Sequence, residues 1–417
     1  MTFSLALSDE QAASKEWAHD FAVNEIRPVA PKHDEEESFP WEVVRKAADI
    51  GLYGVEYWQQ STQDQTGMTN NLVVEEVFWG CAGIGLAIFG SALALAGLAS
   101  NGTPEQLVEW GPRIFGTPDD VKVGAYAVSE PGAGSDVRSL RTRATRDGDD
   151  WVLNGTKVWI TNGGIADVHV VVATVDPDLG HRGQATFIVT ADTPGFRQGK
   201  KERKLGIRAS HTAELILDDA RIPSDHLLGG TERLQERLAQ GQAALSAASS
   251  GSKKREAGWN RGAGALGTFE LTRPFVAIQA VGVARAAFEF ARDYALQRHT
   301  FGVPIIRHQA IAFKLADMAT EIDAARLLCW RGAWMGLNGQ AYRQGEGSMA
   351  KLKAGRVAVY VTDEAIQILG GYGYVKDFPV EKWHRDAKIY EIFEGTREIQ
   401  QQVISRQIAR SAGGEAS

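Results

Sequence analysis

The chain has 417 residues, with 45 basic and 52 acidic side chains and a formal charge of −7. An apolar share of 44% provides for a large buried core, which excludes wholesale disorder, and the length calls for two or three domains or layers. Mild acidity without a basic stripe argues against nucleic-acid binding, and two distant cysteines, Cys81 and Cys329, exclude a disulfide scaffold and fit a reducing compartment.

The first stretch reads as helix. Ser8 caps it, apolar residues recur at Trp17, Phe21, Val23 and Ile26, and Pro28 stops it. Pro40 is expected at the first position of a second helix, Trp41 to Ile50, ended by Gly51. Gln59 to Thr69 reads as a polar loop, and helix resumes from Asn70 to about Gly97. Within it, Ile84 to Leu98 is broken by Gly85, Gly90 and Gly97, too short and interrupted for a membrane span, and is expected to be a buried helix. The N-terminus has no signal-peptide core and no Arg-rich transit pattern, so a soluble protein of a bacterial cytoplasm, without membrane insertion, is expected.

Near Val121 the period changes. Strand-length apolar runs follow at Gly124–Val128, Trp151–Leu153, Lys157–Ile160, Val168–Val175, Ala185–Val189 and Ala213–Leu217. Asp147-Gly148, Asn154-Gly155 and Asn162-Gly163 read as turns between them. A helix is expected over Thr231–Ala247. Beyond it, Ser249–Gly267 is Gly-, Ser- and Ala-rich with the basic cluster Lys253-Lys254-Arg255 and reads as a flexible insertion. Helical patterning returns at Phe275–Arg298, Gln309–Asn338, Ser348–Leu369 and Glu394–Arg410. The fold class is therefore α+β: an N-terminal helical domain (1–121), a central β domain of two-sheet or barrel-like form (122–230), the insertion (231–267), and a C-terminal four-helix-bundle domain (268–417).

Several motifs carry no chemistry on inspection. Gly262-x-Gly264-x-x-Gly267 matches the dinucleotide fingerprint by letter but follows no strand, and Gly132-x-Gly134 lacks the third glycine. No P-loop and no Gly-x-Ser-x-Gly elbow occurs, and no His or Cys spacing suits a metal, so none is expected. Three segments are more distinctive. Tyr126-Ala-Val-Ser-Glu-Pro-Gly-Ala-Gly-Ser-Asp136 ends a strand in small residues whose backbone a flat or anionic ligand can approach. Lys157-Val-Trp-Ile-Thr-Asn-Gly-Gly164 places an indole on a later strand, and Glu394 stands just ahead of a helix that Thr396 is able to cap.

Taken with Gln297-Arg-His-Thr-Phe-Gly302, His308-Gln-Ala-Ile-Ala-Phe-Lys-Leu-Ala-Asp-Met318, Gln367-Ile-Leu-Gly-Gly-Tyr-Gly-Tyr374 and Arg385-Asp-Ala-Lys-Ile-Tyr-Glu-Ile-Phe-Glu-Gly-Thr396, these segments resemble the acyl-CoA dehydrogenase family over nearly the whole chain. The resemblance implies an FAD-dependent flavoprotein that oxidises an acyl-CoA thioester to its trans-2-enoyl product. Glu394 matches the catalytic base in the medium-chain type of enzyme; in the other arrangement the glutamate's place falls at Thr272. Tyr126, Val128, Ser129, Trp159, Ile160 and Thr161 match flavin contacts, and Arg298, Thr300, Phe301, His308, Gln309, Gln367, Gly370 and Gly371 match contacts to the diphosphate and adenosine. Thr396 and Glu398 match further cofactor-side positions; Ser135, Arg273, Gly395 and Arg406 match substrate-side ones. The family also implies a homotetramer, part of whose cofactor wall comes from a neighbouring subunit, and an electron-transfer flavoprotein as acceptor. An oxidase-type relative, or a silent CoA-binding homologue, is the alternative. Lys253, Lys254 and Arg255 are either a solvated loop or contacts to CoA phosphates. The small and apolar residues Gly83 to Leu93 are expected at the floor of the acyl pocket, Phe89 shortening it and Gly85 and Gly90 widening it, in favour of medium or long chains.

Overall fold

The hydroxyl of Ser8 accepts the Gln11 N–H while the Gln11 side chain reaches back to the Ser8 N–H, a capping box that starts α1 (Asp9–Phe21). The structure is a computed structural model that describes residues 5–249 and 265–412. A single π-helical turn, Ala22–Ile26, carries α1 toward Pro28. Next comes α2 (Ala30–Glu36), a short polar helix outside the sequence-based expectations. Pro40 precedes α3 (Trp41–Asp49) as its N-cap rather than as its first residue. Helix α4 (Val55–Ser61) extends into the segment expected as loop. The single helix expected over 70–97 is three: α5 (Met68–Gly80), α6 (Ala82–Phe89) and α7 (Ala92–Asn101). Cys81, at φ −166° and ψ 126°, separates the first two. A second capping box, Thr103 with Gln106, opens α8 (Pro104–Phe115).

Seven strands then form one curled sheet: β1 (Gly124–Ala127), β2 (Arg143–Asp147), β3 (Asp150–Thr161), β4 (Val168–Thr174), β5 (Gln184–Thr190), β6 (Phe196–Lys201) and β7 (Thr212–Ile222). The order runs β1-β4-β2-β3-β7-β6, with β5 on the other edge of β4. Asp147-Gly148 is the expected hairpin turn between β2 and β3. Asn154-Gly155 is not a turn. The two runs around it are one strand with a bulge against β7, because Gly155, at φ +154°, lies so close over Thr142 that a Cβ would meet its Oγ1 at 2.5 Å. Asn162-Gly163 closes β3, but the following strand β4 pairs with β1, β2 and β5. Strands β2 and β6 are mostly exposed and polar, so they give no apolar alternation to read.

Helix α9 (Gly230–Ser249) follows. Residues 250–264, with Lys253, Lys254, Arg255, Gly262 and Gly264, lie outside the described residues; Gly267 is helical rather than part of a loop, since α10 (Ala265–Gln297) has begun. A two-stranded turn, β8 (His299–Thr300) with β9 (Val303–Pro304), leads to α11 (Gln309–Leu337) and α12 (Glu346–Leu369). Helices α13 (Val380–Ala387) and α14 (Arg397–Ser411) complete the bundle, α12 packing against α10, α11 and α14. Helix α14 starts three residues later than the sequence pattern suggests. Ala82–Asn101 and Thr272–Gln297 are long and apolar enough to cross a membrane, yet 72% of each window is buried within the fold, where α5 also packs on α10. The first is α6 with α7 and the second lies within α10, and all three helices belong to the core.

Candidate active site

Glu394 is carried on a left-handed turn. Its φ is +55° and that of Gly395 is +92°, conformations that cost a non-glycine residue about 1–3 kcal/mol and persist only when neighbours fix them. Three neighbours do so. Thr396 caps α14 by accepting the Ile399 N–H, Gln400 Nε2 donates to the Glu394 and Gly395 carbonyls at 3.1 and 2.9 Å, and Lys351 Nζ on α12 donates to the Gly395 carbonyl at 2.8 Å. The carboxylate accepts a hydrogen bond from Thr272 Oγ1 on α10 at 2.9 Å. Burial raises the Glu394 pKa above the ordinary glutamate value, opposed by the Thr272 hydroxyl and by the charges of Lys351 and Arg273. The position that the second arrangement would give to the glutamate is thus filled by the hydroxyl that holds this one.

Arg273 is buried and donates to Ser348 Oγ at 2.9 Å. Arg406, on α14, is half-buried, and Glu398 is exposed and paired with Arg397 at 2.6 Å.

The strand ends make a second cluster. Tyr126, Val128 and Ile160 are buried, Ser129 and Thr161 are half-buried, and Trp159 is 60% exposed at φ +58°. The turn after β1 is pinned by Glu130, whose carboxylate accepts the Arg141 and Thr142 N–H groups and the Lys157 ammonium. Lys157 Nζ also donates to the Val128 carbonyl at 2.9 Å. Burial lowers the Lys157 pKa to about 8, against the attraction of Glu130. Breaking such a buried pair leaves a charge without its partner, at a cost of about 3–5 kcal/mol. Lys157→Met is therefore expected to lower the thermal midpoint, measured in a melting curve. In the rest of the turn Ala133 is buried while Pro131, Gly132 and Gly134 to Asp136 are exposed; no atom beyond its chain neighbours comes within 4 Å of where a Gly132 Cβ would lie, and Trp159 stands 3.9 Å from that of Gly134.

A third cluster lies at the far end of the bundle. A cavity of about 630 Å³ is lined by Arg298, Thr300, His308, Gly370, Gly371 and Tyr372 among others, and by none of the strand-end residues. Thr300 Oγ1 and His308 Nε2 lie 3.1 Å apart, and Arg298 stands over the Tyr372 ring at 5.8 Å. Gln309 opens α11 beside it, Gln367 lies one turn before Gly370, and Phe301, at the β8–β9 tip, is 97% exposed.

Sequence profiles of the acyl-CoA dehydrogenase family match the chain in three parts: the N-terminal domain over residues 8–116, the middle domain over 125–220 and the C-terminal domain over 257–409. The chain belongs to the acyl-CoA dehydrogenase family. It is 39% identical to the short-chain specific acyl-CoA dehydrogenase of Bos taurus mitochondria, over 98% of this chain and 92% of that one. It superimposes on butyryl-CoA dehydrogenase from Megasphaera elsdenii with a TM-score of 0.82 at 34% identity, covering 98% of this chain and 100% of that one. A glutaryl-CoA dehydrogenase from Mycobacterium smegmatis, in complex with FADH2, gives 0.79 at 27% identity, covering 99% and 96%.

The clusters fit an FAD-dependent acyl-CoA dehydrogenase. An exposed indole beside an open, glycine-lined turn is a platform for a flat ring, and the cavity bearing Arg298 and His308 suits a diphosphate. The segment expected at the floor of an acyl pocket, Gly83 to Leu93, is closely packed. Gly85 and Gly90 do not widen such a pocket: a Cβ at Gly85 would meet the Phe78 ring at 3.0 Å, and one at Gly90 would meet the Thr161 methyl at 3.1 Å. These glycines let α6 pack closely against its neighbours. Phe89 instead stands within a group of rings, 5.6 Å from Tyr57, 5.9 Å from Trp58 and 5.9 Å from Phe275. Lys351, Gln400, Ser348, Trp58 and Phe275 were not legible as site residues. Only Gln400 lies near a recognised motif, and nothing local marks the others.

Proposed function

We propose that this chain is an FAD-dependent dehydrogenase that desaturates a short-chain acyl-CoA at the α,β-bond, with Glu394 as the base. The observation that carries this reading is the half-buried Glu394 carboxylate, held by Thr272 and set on a turn fixed from two helices. A base in this environment is poised to take a weakly acidic α-proton, since burial strengthens it as an acceptor. Enolate-like charge developing on the thioester oxygen would call for hydrogen-bond donors near this turn. FAD, when bound, accepts the β-hydride. Trp159, Thr161 and the Tyr126–Ser129 strand end would hold its ring and Arg298, Thr300 and His308 its diphosphate, with Ser135 and Arg406 on the substrate side.

The short-chain assignment rests on the floor. Phe275 lies one turn beyond Thr272, which touches the base, and Phe89 adjoins Gly90, which packs on Thr161. The rings of Trp58, Phe89 and Phe275 therefore occupy the space into which a long tail would extend. The resemblance to a short-chain enzyme and to a butyryl-CoA dehydrogenase supports the same reading. Exposed Phe301 and Tyr374, beside the diphosphate cavity, favour a second copy of the chain covering that face, in keeping with a homotetramer. An electron-transfer flavoprotein is the proposed acceptor.

The test is anaerobic mixing with butyryl-CoA, which is expected to bleach the flavin. The pH dependence follows from the raised Glu394 pKa. The base must be ionised, so kcat/KM is expected to fall as pH drops through a value above the ordinary glutamate range. An acid limb at the ordinary glutamate value, measured with butyryl-CoA, would contradict the buried base.

A further inference from the structure

Lys351 is one of the largest fully buried side chains among the described residues, and neither the family motifs nor the proposed chemistry assigns it a role. It projects from the second turn of α12 into the interior, where a buried lysine is costly unless it is paired. Its ammonium donates to the Gly395 carbonyl at 2.8 Å, and that carbonyl also accepts from Gln400 Nε2 at 2.9 Å. The carbonyl belongs to the residue after the base, within the left-handed pair Glu394–Gly395. We propose that Lys351 is a positioning residue acting through Glu394, its ammonium clamping the Gly395 carbonyl and with it the strained turn that aims the base carboxylate.

Two independent features support this assignment. The first is geometric. A turn with two consecutive positive φ values does not hold itself, and Lys351 ties it to α12 while Gln400 ties it to α14. The second is electrostatic. Three groups face Glu394: the Thr272 hydroxyl and the Arg273 guanidinium from α10, and the Lys351 ammonium from α12. Lys351 in turn is drawn toward Glu394 and Glu391 and repelled by Arg273, and burial lowers its pKa to about 8. Removing this cation leaves the carboxylate less favoured in its charged form. The inference rests on Glu394 being the base.

The test uses the full-length, FAD-loaded protein and follows flavin reduction by butyryl-CoA in single turnovers. Lys351→Met is expected to keep FAD and to slow reduction by about 10²-fold, the cost of a base displaced by about 1 Å. Its acid limb is expected to move to higher pH. In the Glu394→Gln background the same substitution is expected to cost less than about twofold, because effects of residues that act as a unit do not add. If Glu394→Gln slows the reaction while Lys351→Met alone leaves rate and acid limb unchanged, the positioning role is wrong and the base assignment stands. Equal losses from Lys351→Met in both backgrounds also overturn the role. If Glu394→Gln reduces as fast as the unmodified protein, the base assignment itself fails. Should the methionine variant not retain FAD, Lys351→Arg decides, since it keeps the charge. An acid limb in its original place supports the role, and one moved upward overturns it.

Discussion

Glu394→Gln is expected to leave the protein yellow, folded and able to bind acyl-CoA, while flavin reduction slows by about 10²–10⁴-fold, the usual contribution of a positioned general base. The amide keeps the size of the carboxyl and still accepts from Thr272 Oγ1, so the turn held by Gln400 and Lys351 has no reason to move. What is lost is the proton acceptor alone. The same substitution removes a carboxylate that burial makes costly to ionise, so thermal stability at neutral pH is not expected to fall. The sign follows from the raised pKa: a buried carboxyl stabilises the fold while protonated and loses that contribution as pH rises through its folded pKa. Stopped-flow absorbance at the flavin band gives the rate, and a melting curve gives the stability. A variant that reduces at the unmodified rate would remove Glu394 from the chemistry, whatever its resemblance.

Opening the aromatic floor is the second large effect. In the unmodified protein kcat/KM is expected to peak at short acyl chains and fall as the tail meets Trp58, Phe89 and Phe275. Phe275→Ala removes the ring on α10, the helix whose Thr272 touches the base, and is expected to move the optimum to longer chains. Each methylene newly accommodated adds about 0.8 kcal/mol, roughly fourfold in kcat/KM. Phe275 is half-buried, whereas Phe89 is 3% exposed and its truncation carries the usual cost of about 3–5 kcal/mol for a core ring. Phe275 is therefore the better probe. A ladder of saturated acyl-CoAs assayed against both proteins checks the prediction. An unmodified protein that prefers a long chain would show that these rings do not close the pocket. An unchanged ladder in Phe275→Ala would show that the acyl tail runs elsewhere.

The sequence by itself determined the parts that depend on local signals. Ser8 and Thr396 cap helices where their side chains predict, Asp147-Gly148 makes a hairpin, and the switch from helical to strand patterning near Val121 marks the sheet. The turn after β1, the indole at Trp159 and the carboxylate ahead of α14 stand out in the sequence because each sits in a short contiguous motif. Exposed strands such as β6 and the broken helices α5 to α7 do not, since polar strands carry no alternation and an all-buried helix shows little amphipathic period. The tertiary structure alone decided the partners of the base. Thr272 meets Glu394 across 122 residues of chain and Lys351 meets Gly395 across 44. It also decided that Gly85 and Gly90 are points of close packing and that rings from α4, α6 and α10 pack against one another. The reason is common to all of these. A buried polar or aromatic group is selected by what desolvates and touches it, and those neighbours come from helices brought together by packing, which local propensity does not encode.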